Sequence, residues 1–118
     1  MSTRVVIAED EAIIRLDLKE MLEEEGYEVV AESGRGDEAI DLVREHQPDL
    51  AILDVNLDDG NVFALARKLA EEDVPVIFHS GQHTPEEVKA RFPDATTLTK
   101  PCPPTEVIEA VNKVLETA

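Results

Sequence analysis

Val5-Val6-Ile7-Ala8-Glu9-Asp10-Glu11 opens the chain with four apolar residues in an unbroken row, closed by three carboxylates. A short run with no polar alternation marks a strand covered on both faces, the pattern of a parallel sheet between layers of helix. Runs of similar length recur at Glu28 to Ala31, Leu50 to Leu53, Val76 to Phe78 and, least apolar, Ala95 to Thr99. Between them the period changes. Ile14, Leu18, Met21 and Leu22 share one stripe of a helix expected from about Glu11 to Glu25, with Gly26 placed as its C-terminal cap. Ala39, Ile40, Leu42 and Val43 predict a second helix, and Val62, Leu65, Ala66 and Leu69 a third. Val107, Ile108, Val111, Val114 and Leu115 predict the last, preceded by Pro103-Pro104 and with Thr105 as its cap. A fourth helix begins well at Thr84-Pro85 but is stopped by Pro93 within about two turns. Strands alternating with helices in this way give an α/β fold, a doubly wound five-stranded parallel sheet with right-handed crossovers.

At 118 residues the chain has room for one domain, and no repeat, low-complexity tract or linker divides it. We therefore expect a single domain over residues 1–118 with no output domain. Eleven Lys and Arg against 27 Asp and Glu leave a formal charge of −16, which argues against nucleic acid and against an acidic membrane surface as ligands. The 42% hydrophobic content is that of a folded chain rather than a disordered one. Cys102 stands alone and cannot form an internal disulfide, so a reducing compartment is expected. The opening apolar run is shorter than the roughly 7–15 residues of a secretory signal core, and no run nears the roughly 20 needed to cross a bilayer. These readings point to the cytoplasm.

In open α/β sheets ligands sit at the carboxyl ends of the strands, so those ends hold the candidate chemistry. The first strand runs into Glu9-Asp10-Glu11, and the third ends on Asp54. Carboxylates gathered at neighbouring strand ends call for a divalent cation with oxygen ligands, and Mg²⁺ fits best because it takes one or two carboxylates and leaves room for a phosphate oxygen. Asp10 or Glu11 would equally serve as a cap for the following helix. Asp54 has no such duty, because the next helix starts several residues later, and it is a candidate nucleophile or metal ligand. The fourth strand delivers Ser80 and Gly81, a hydroxyl and a backbone N–H open to an anion; the fifth delivers Lys100, suited to a phosphoryl group as a point charge.

With these residues the chain resembles the receiver domain of two-component response regulators, over essentially its whole length. Val6 to Glu11 is similar to that family's acidic opening motif, Leu53 to Leu57 with Gly60 to its phosphoacceptor motif, Ser80 to its strand-four hydroxyl and Lys100-Pro101 to its Lys-Pro ending. The resemblance implies a flavodoxin-like sheet of order 2-1-3-4-5 and phosphorylation of Asp54 by a histidine kinase. It implies Mg²⁺ held by Glu9, Asp10, Asp54 and the backbone carbonyl of Asn56, with Glu9 acting through water. Lys100, Ser80 and the Gly81 N–H would contact the phosphoryl oxygens. Asn56 and Gln82 occupy positions that tune its hydrolysis. A histidine phosphotransfer protein or an effector protein is the implied onward partner, and the only chemistry implied is the domain's own phosphorylation and dephosphorylation.

Four departures from the pattern stand out. Glu9 replaces the commoner Asp, the loop after Asp54 lacks the frequent proline, Thr97 stands where an aromatic switch residue is usual, and Cys102 replaces a usual phenylalanine. Phe78-His79-Ser80-Gly81 followed by a short fourth helix resembles single-domain receivers that replace this switch with a motif after strand four. His79 itself reads as a rim residue and Cys102 as a small packed side chain. Two other readings compete. One is a Mg²⁺-dependent phosphatase with Asp54 as nucleophile, against which stand Asn56 two residues later, the third-strand position and the lack of a cap insertion. The other is a docking module independent of phosphorylation, against which stands the intact Asp54, Ser80 and Lys100 set.

Overall fold

Every apolar run becomes a strand, and every stripe of period 3.6 becomes a helix. The computed structural model describes residues 3–57, 62–81, 86–93 and 95–117. In chain order the elements are β1 (Arg4–Ala8), α1 (Ala12–Glu24), β2 (Glu28–Ser33), α2 (Gly36–His46) and β3 (Leu50–Asp54). They continue with α3 (Val62–Glu71), β4 (Val76–Ser80), α4 (Glu86–Arg91), β5 (Thr96–Thr99) and α5 (Pro104–Thr117). All neighbouring strands pair in parallel in the order β2-β1-β3-β4-β5, the doubly wound, flavodoxin-like arrangement. Among the described residues no helix is long and apolar enough to cross a membrane.

The pleat of the sheet sorts its side chains into two cores. Val5, Ile7, Leu50, Ile52 and Ile77 point to one face, where Leu18 and Leu22 of α1 and Val107 and Val111 of α5 cover them. Val6, Ala8, Ala51, Leu53 and Phe78 point to the other, beneath α2, α3 and Val88 of α4. β3 is buried throughout and β1 along all but its first residue, which is why their sequences show no polar alternation.

β3 ends on Asp54 and β4 runs through His79 to Ser80, as the strand-end reading expects, and parallel pairing carries Asp54 into register with His79 and Ser80 with Thr99. Other element ends differ from the sequence expectation. α5 begins at Pro104 rather than after it, so Thr105 lies inside the first turn and is not the cap. Glu11 stands at the N-cap of α1 without a side-chain capping bond, and Glu9 instead accepts from the Glu11 N–H. Gly26 does follow α1 as expected, at a φ of 90° that disfavours any side chain. Among the described residues the fourth helix covers Glu86–Arg91. Its expected start at Thr84-Pro85 lies outside the described residues, as do Gly60 and Gln82.

Candidate functional site

Strand parity decides which side chains meet at the top of the sheet. Residues 5 and 7 of β1, 50 and 52 of β3, and 77 of β4 face the α1/α5 core, as does Leu98 of β5. Adding two to each strand's last such position gives Glu9, Asp54, His79 and Lys100. One step of pleat beyond the core, four polar side chains therefore converge on the same side. Ser80 continues the opposite parity, after Phe78, and belongs to the α3/α4 side.

The resulting cluster is dense and nearly dry. Glu9 is 1% exposed, Asp54 2% and His79 5%. Lys100 Nζ lies 2.8 Å from Glu9 Oε1 and 3.4 Å from Asp54 Oδ2. The backbone N–H of Asn56 donates to Asp54 Oδ1 at 3.0 Å, and that of Glu11 to Glu9 Oε2 at 3.2 Å. Behind them, Arg15 Nη1 donates to the Glu9 carbonyl at 2.7 Å, fixing the turn that carries Glu9 and Asp10. Gly34 permits this: a Cβ there would stand 3.1 Å from Arg15 Nη1 and 3.5 Å from the Glu9 carbonyl oxygen. On the β5 side the Lys100 N–H donates to the Ser80 carbonyl at 2.6 Å, and the Lys100-Pro101 peptide is cis.

Charge in this enclosure is unbalanced. Carboxylate oxygens of Glu9, Asp10 and Asp54 lie within 4.8 Å of one another, and three carboxylates against the Lys100 ammonium leave two negative charges uncompensated. Burial first, then the Asp10 and Glu9 carboxyls, push Asp54 up to about 7, against the pull of the Asn56 N–H. Burial also works against the Glu9 carboxylate, but contacts with His79, Asp54, Lys100 and Asp10 outweigh it and hold Glu9 well below the usual carboxylate range. Burial opposes the Lys100 ammonium, and the facing Glu9 and Asp54 more than restore it, so its pKa is raised. A hard divalent cation suits this all-oxygen set and its charge deficit. Glu9, Asp10 and Asp54 are thus brought together as the sequence predicts, and the Asp10 side chain is left to this cluster rather than spent on capping α1.

Other candidates fall into place around it. Ser80 is buried at the end of β4, and its side of the sheet differs from that of Lys100. Among the described residues, a Cβ on Gly81 would meet nothing within 4 Å. The Asn56 side chain is exposed while its backbone turns toward Asp54. Cys102 is half-buried against the α1/α5 core, as read, with its thiol facing Glu106. Thr97 is exposed on β5. His79 was not expected inside the cluster. Its Nδ1 lies 3.8 Å from Glu9 Oε1; the signal available in the sequence was its two-residue step from Ile77, which sets it on the face of Glu9 and Lys100.

The family model of the response regulator receiver domain matches residues 5–112. The chain belongs to the response regulator receiver family. Among curated relatives, this receiver is 40% identical over 112 residues to the transcriptional regulatory protein PdtaR of Mycobacterium tuberculosis, covering 92% of this chain and 55% of that protein. The receiver thus spans about half the length of that relative. It is 32% identical over 120 residues to the chemotaxis protein CheY of Thermotoga maritima, covering 97% of this chain and 98% of CheY. A response regulator receiver protein from Sinorhizobium medicae superimposes with a TM-score of 0.87 at 29% identity, covering 98% of this receiver and 95% of that chain.

Proposed function

We propose that this receiver domain accepts a phosphoryl group on Asp54 from the phosphohistidine of a histidine kinase, with Mg²⁺, and that the change switches a protein-protein surface. The observation that carries the reading is the pairing of Asp54 with Lys100 Nζ at 3.4 Å inside a nearly dry cluster that also holds Glu9 and Asp10. A buried aspartate beside an ammonium and two further carboxylates is poorly explained as a stability device, since burying unbalanced charge is costly. It is well suited to forming and holding an anionic acyl phosphate.

In the transfer, an Asp54 oxygen bonds to phosphorus as the bond to the donor imidazole nitrogen breaks, leaving an acyl phosphate and the kinase histidine. Asn56 N–H holds Oδ1 and so orients the carboxylate for attack. Lys100, already facing Asp54 Oδ2, takes a phosphoryl oxygen. Ser80 supplies a hydroxyl and Gly81 a backbone N–H. Mg²⁺, held by Glu9, Asp10, Asp54 and the Asn56 carbonyl, would keep Asp54 ionised and offset the charge of the equatorial oxygens. Because Ser80 belongs to the α3/α4 side, its engagement would be felt by that layer, and a partner reading α3 and α4 would sense the change. A histidine phosphotransfer protein or an effector would be that partner. The lone thiol of Cys102 fits work in the reducing cytoplasm.

The test is labelling with radioactive acetyl phosphate, or with a phosphorylated histidine kinase, in the presence of Mg²⁺. A hydroxylamine-labile adduct should form on the wild type and be lost in Asp54→Asn. No label from either donor would overturn the proposal, and turnover of many equivalents of an unrelated phosphate monoester would favour a phosphatase instead.

A further inference from the structure

His79 has no task in the transfer just proposed, yet it is among the most enclosed polar side chains of the cluster. It is 5% exposed, and both of its ring nitrogens are buried without a hydrogen bond among the described residues. Native structures pair such atoms as a rule, so an unpaired one calls for a physical account. Glu9 Oε1 lies 3.8 Å from Nδ1, about 0.6 Å beyond hydrogen-bond range. That oxygen is itself without an aligned hydrogen bond; its contact is the ion pair with Lys100 at 2.8 Å. The other Glu9 oxygen is already taken by the Glu11 N–H. Glu9 Oε1 therefore stands between two candidate donors, Lys100 from the end of β5 and His79 from β4, with only the first within hydrogen-bond distance.

Lys100 is shared as well. Its Nζ reaches Asp54 Oδ2 at 3.4 Å, the longer of its two carboxylate contacts. A phosphoryl group on Asp54 would shift that balance, drawing the ammonium toward Asp54 and away from Glu9. Without a replacement, a buried carboxylate oxygen would lose its 2.8 Å partner, which is costly in an enclosed site. We propose that His79 is a positioning residue: as Lys100 is drawn to a phosphoryl oxygen, the imidazole Nδ1–H closes onto Glu9 Oε1 and keeps that carboxylate in its place. The exchange moves a hydrogen bond and no proton. This inference rests on the phosphoryl-accepting reading of the site. It explains why an imidazole, rather than another aliphatic residue, continues the face of Ile77.

Beryllofluoride, which mimics a phosphoryl group on a carboxylate, is the probe, used with Mg²⁺ on the full chain. His79→Leu removes the donor at similar volume, and His79→Asn returns an N–H near the position of Nδ1. The Leu variant should bind beryllofluoride about tenfold more weakly, the lower end of what loss of a partner to a ligating carboxylate costs. Its Mg²⁺ affinity without beryllofluoride should stay within about twofold, since Lys100 then still holds Glu9. The Asn variant should recover most of the loss. A purely structural histidine would move both affinities together and would not be rescued by Asn. Nitrogen-15 NMR of the wild-type imidazole gives a reading that needs no variant: the Nδ1–H resonance should move downfield when beryllofluoride and Mg²⁺ are added together. If the wild type takes up no beryllofluoride, the phosphoryl reading itself fails. If it does, but the Leu variant binds as well as wild type or the Nδ1–H resonance stays put, the inference about His79 alone is overturned.

Discussion

Replacing Asp54 by Asn should make the metal-free protein more stable, and increasingly so as pH rises. The substitution keeps the shape of a side chain that is 2% exposed and takes one negative charge from a cluster in which three carboxylates face a single ammonium. In the wild type Asp54 is pushed from 3.8 to about 7 by burial and by its acidic neighbours. A carboxyl raised on folding binds its proton more tightly in the native state, so the native state loses stability as pH climbs from the unfolded value to the folded one. At about 1.36 kcal/mol per pH unit, the interval is worth on the order of 4 kcal/mol, accrued between about pH 4 and pH 7 and constant above. For a chain of this size that is roughly 15 °C in Tm. The assay is urea or thermal unfolding of wild type and Asp54→Asn in chelator at half-unit steps from pH 4 to 8.5, read as the difference between the two proteins, in which other titrations largely cancel. The gap should open toward neutrality and then level off, and saturating Mg²⁺ should close much of it. A gap that does not vary with pH, or one below about 1 kcal/mol at pH 8, would refute the account of the cluster as an unbalanced carboxylate site.

Three further outcomes are expected. Mg²⁺ at about a hundred times its Kd should add about 2.7 kcal/mol of stability, and Asp10→Ala should abolish most of the rise; an undiminished rise in the variant would remove Asp10 from the metal site. Gly26→Ala should cost about 1–2 kcal/mol by denaturant unfolding, because its φ of 90° disfavours a side chain while a Cβ would touch nothing; no loss would mean the turn after α1 relaxes freely. Burial first, and then the Glu106 carboxylate, push the Cys102 thiol up, so Glu106→Gln should quicken its alkylation by iodoacetamide at pH 8, and an unchanged rate would discount that carboxylate.

The strands and their helices were legible because burial on two faces leaves an unmistakable pattern at Val5 to Ala8 and Leu50 to Leu53. Glu9, Asp54 and Lys100 were legible as candidates because each directly follows such a run or the weaker one before Lys100, with Asp10 one residue beyond Glu9. Strand order was not, since nothing within β2 or β5 says which neighbour it pairs with; it came with the family resemblance and is matched by the sheet. The cap was misread at Thr105 because capping depends on where the first turn closes, and a one-residue shift at Pro104 moves Thr105 inside the helix, whereas Glu11 takes the N-cap position without a side-chain bond. His79 was misread for a different reason. A lone histidine at a strand end looks like a rim residue until parity is counted through Ile77, and only the parallel register with Asp54 shows that it enters the acidic cluster.

The sorting of side chains into two cores makes the two sides of the sheet independently editable. Leu65 and Leu69 of α3 share no core with Leu18 and Leu22 of α1, and the backbone of the sheet lies between them. Substitutions on opposite sides should therefore add in their effects. A lineage could recut the α2, α3 and α4 layer while leaving the α1 and α5 layer as it is. The strand tips are the exception, because Asp54 and Ser80 face opposite layers from one small region. Changes there are heard on both sides at once, and that confines variation in the chemistry far more tightly than variation in the helices.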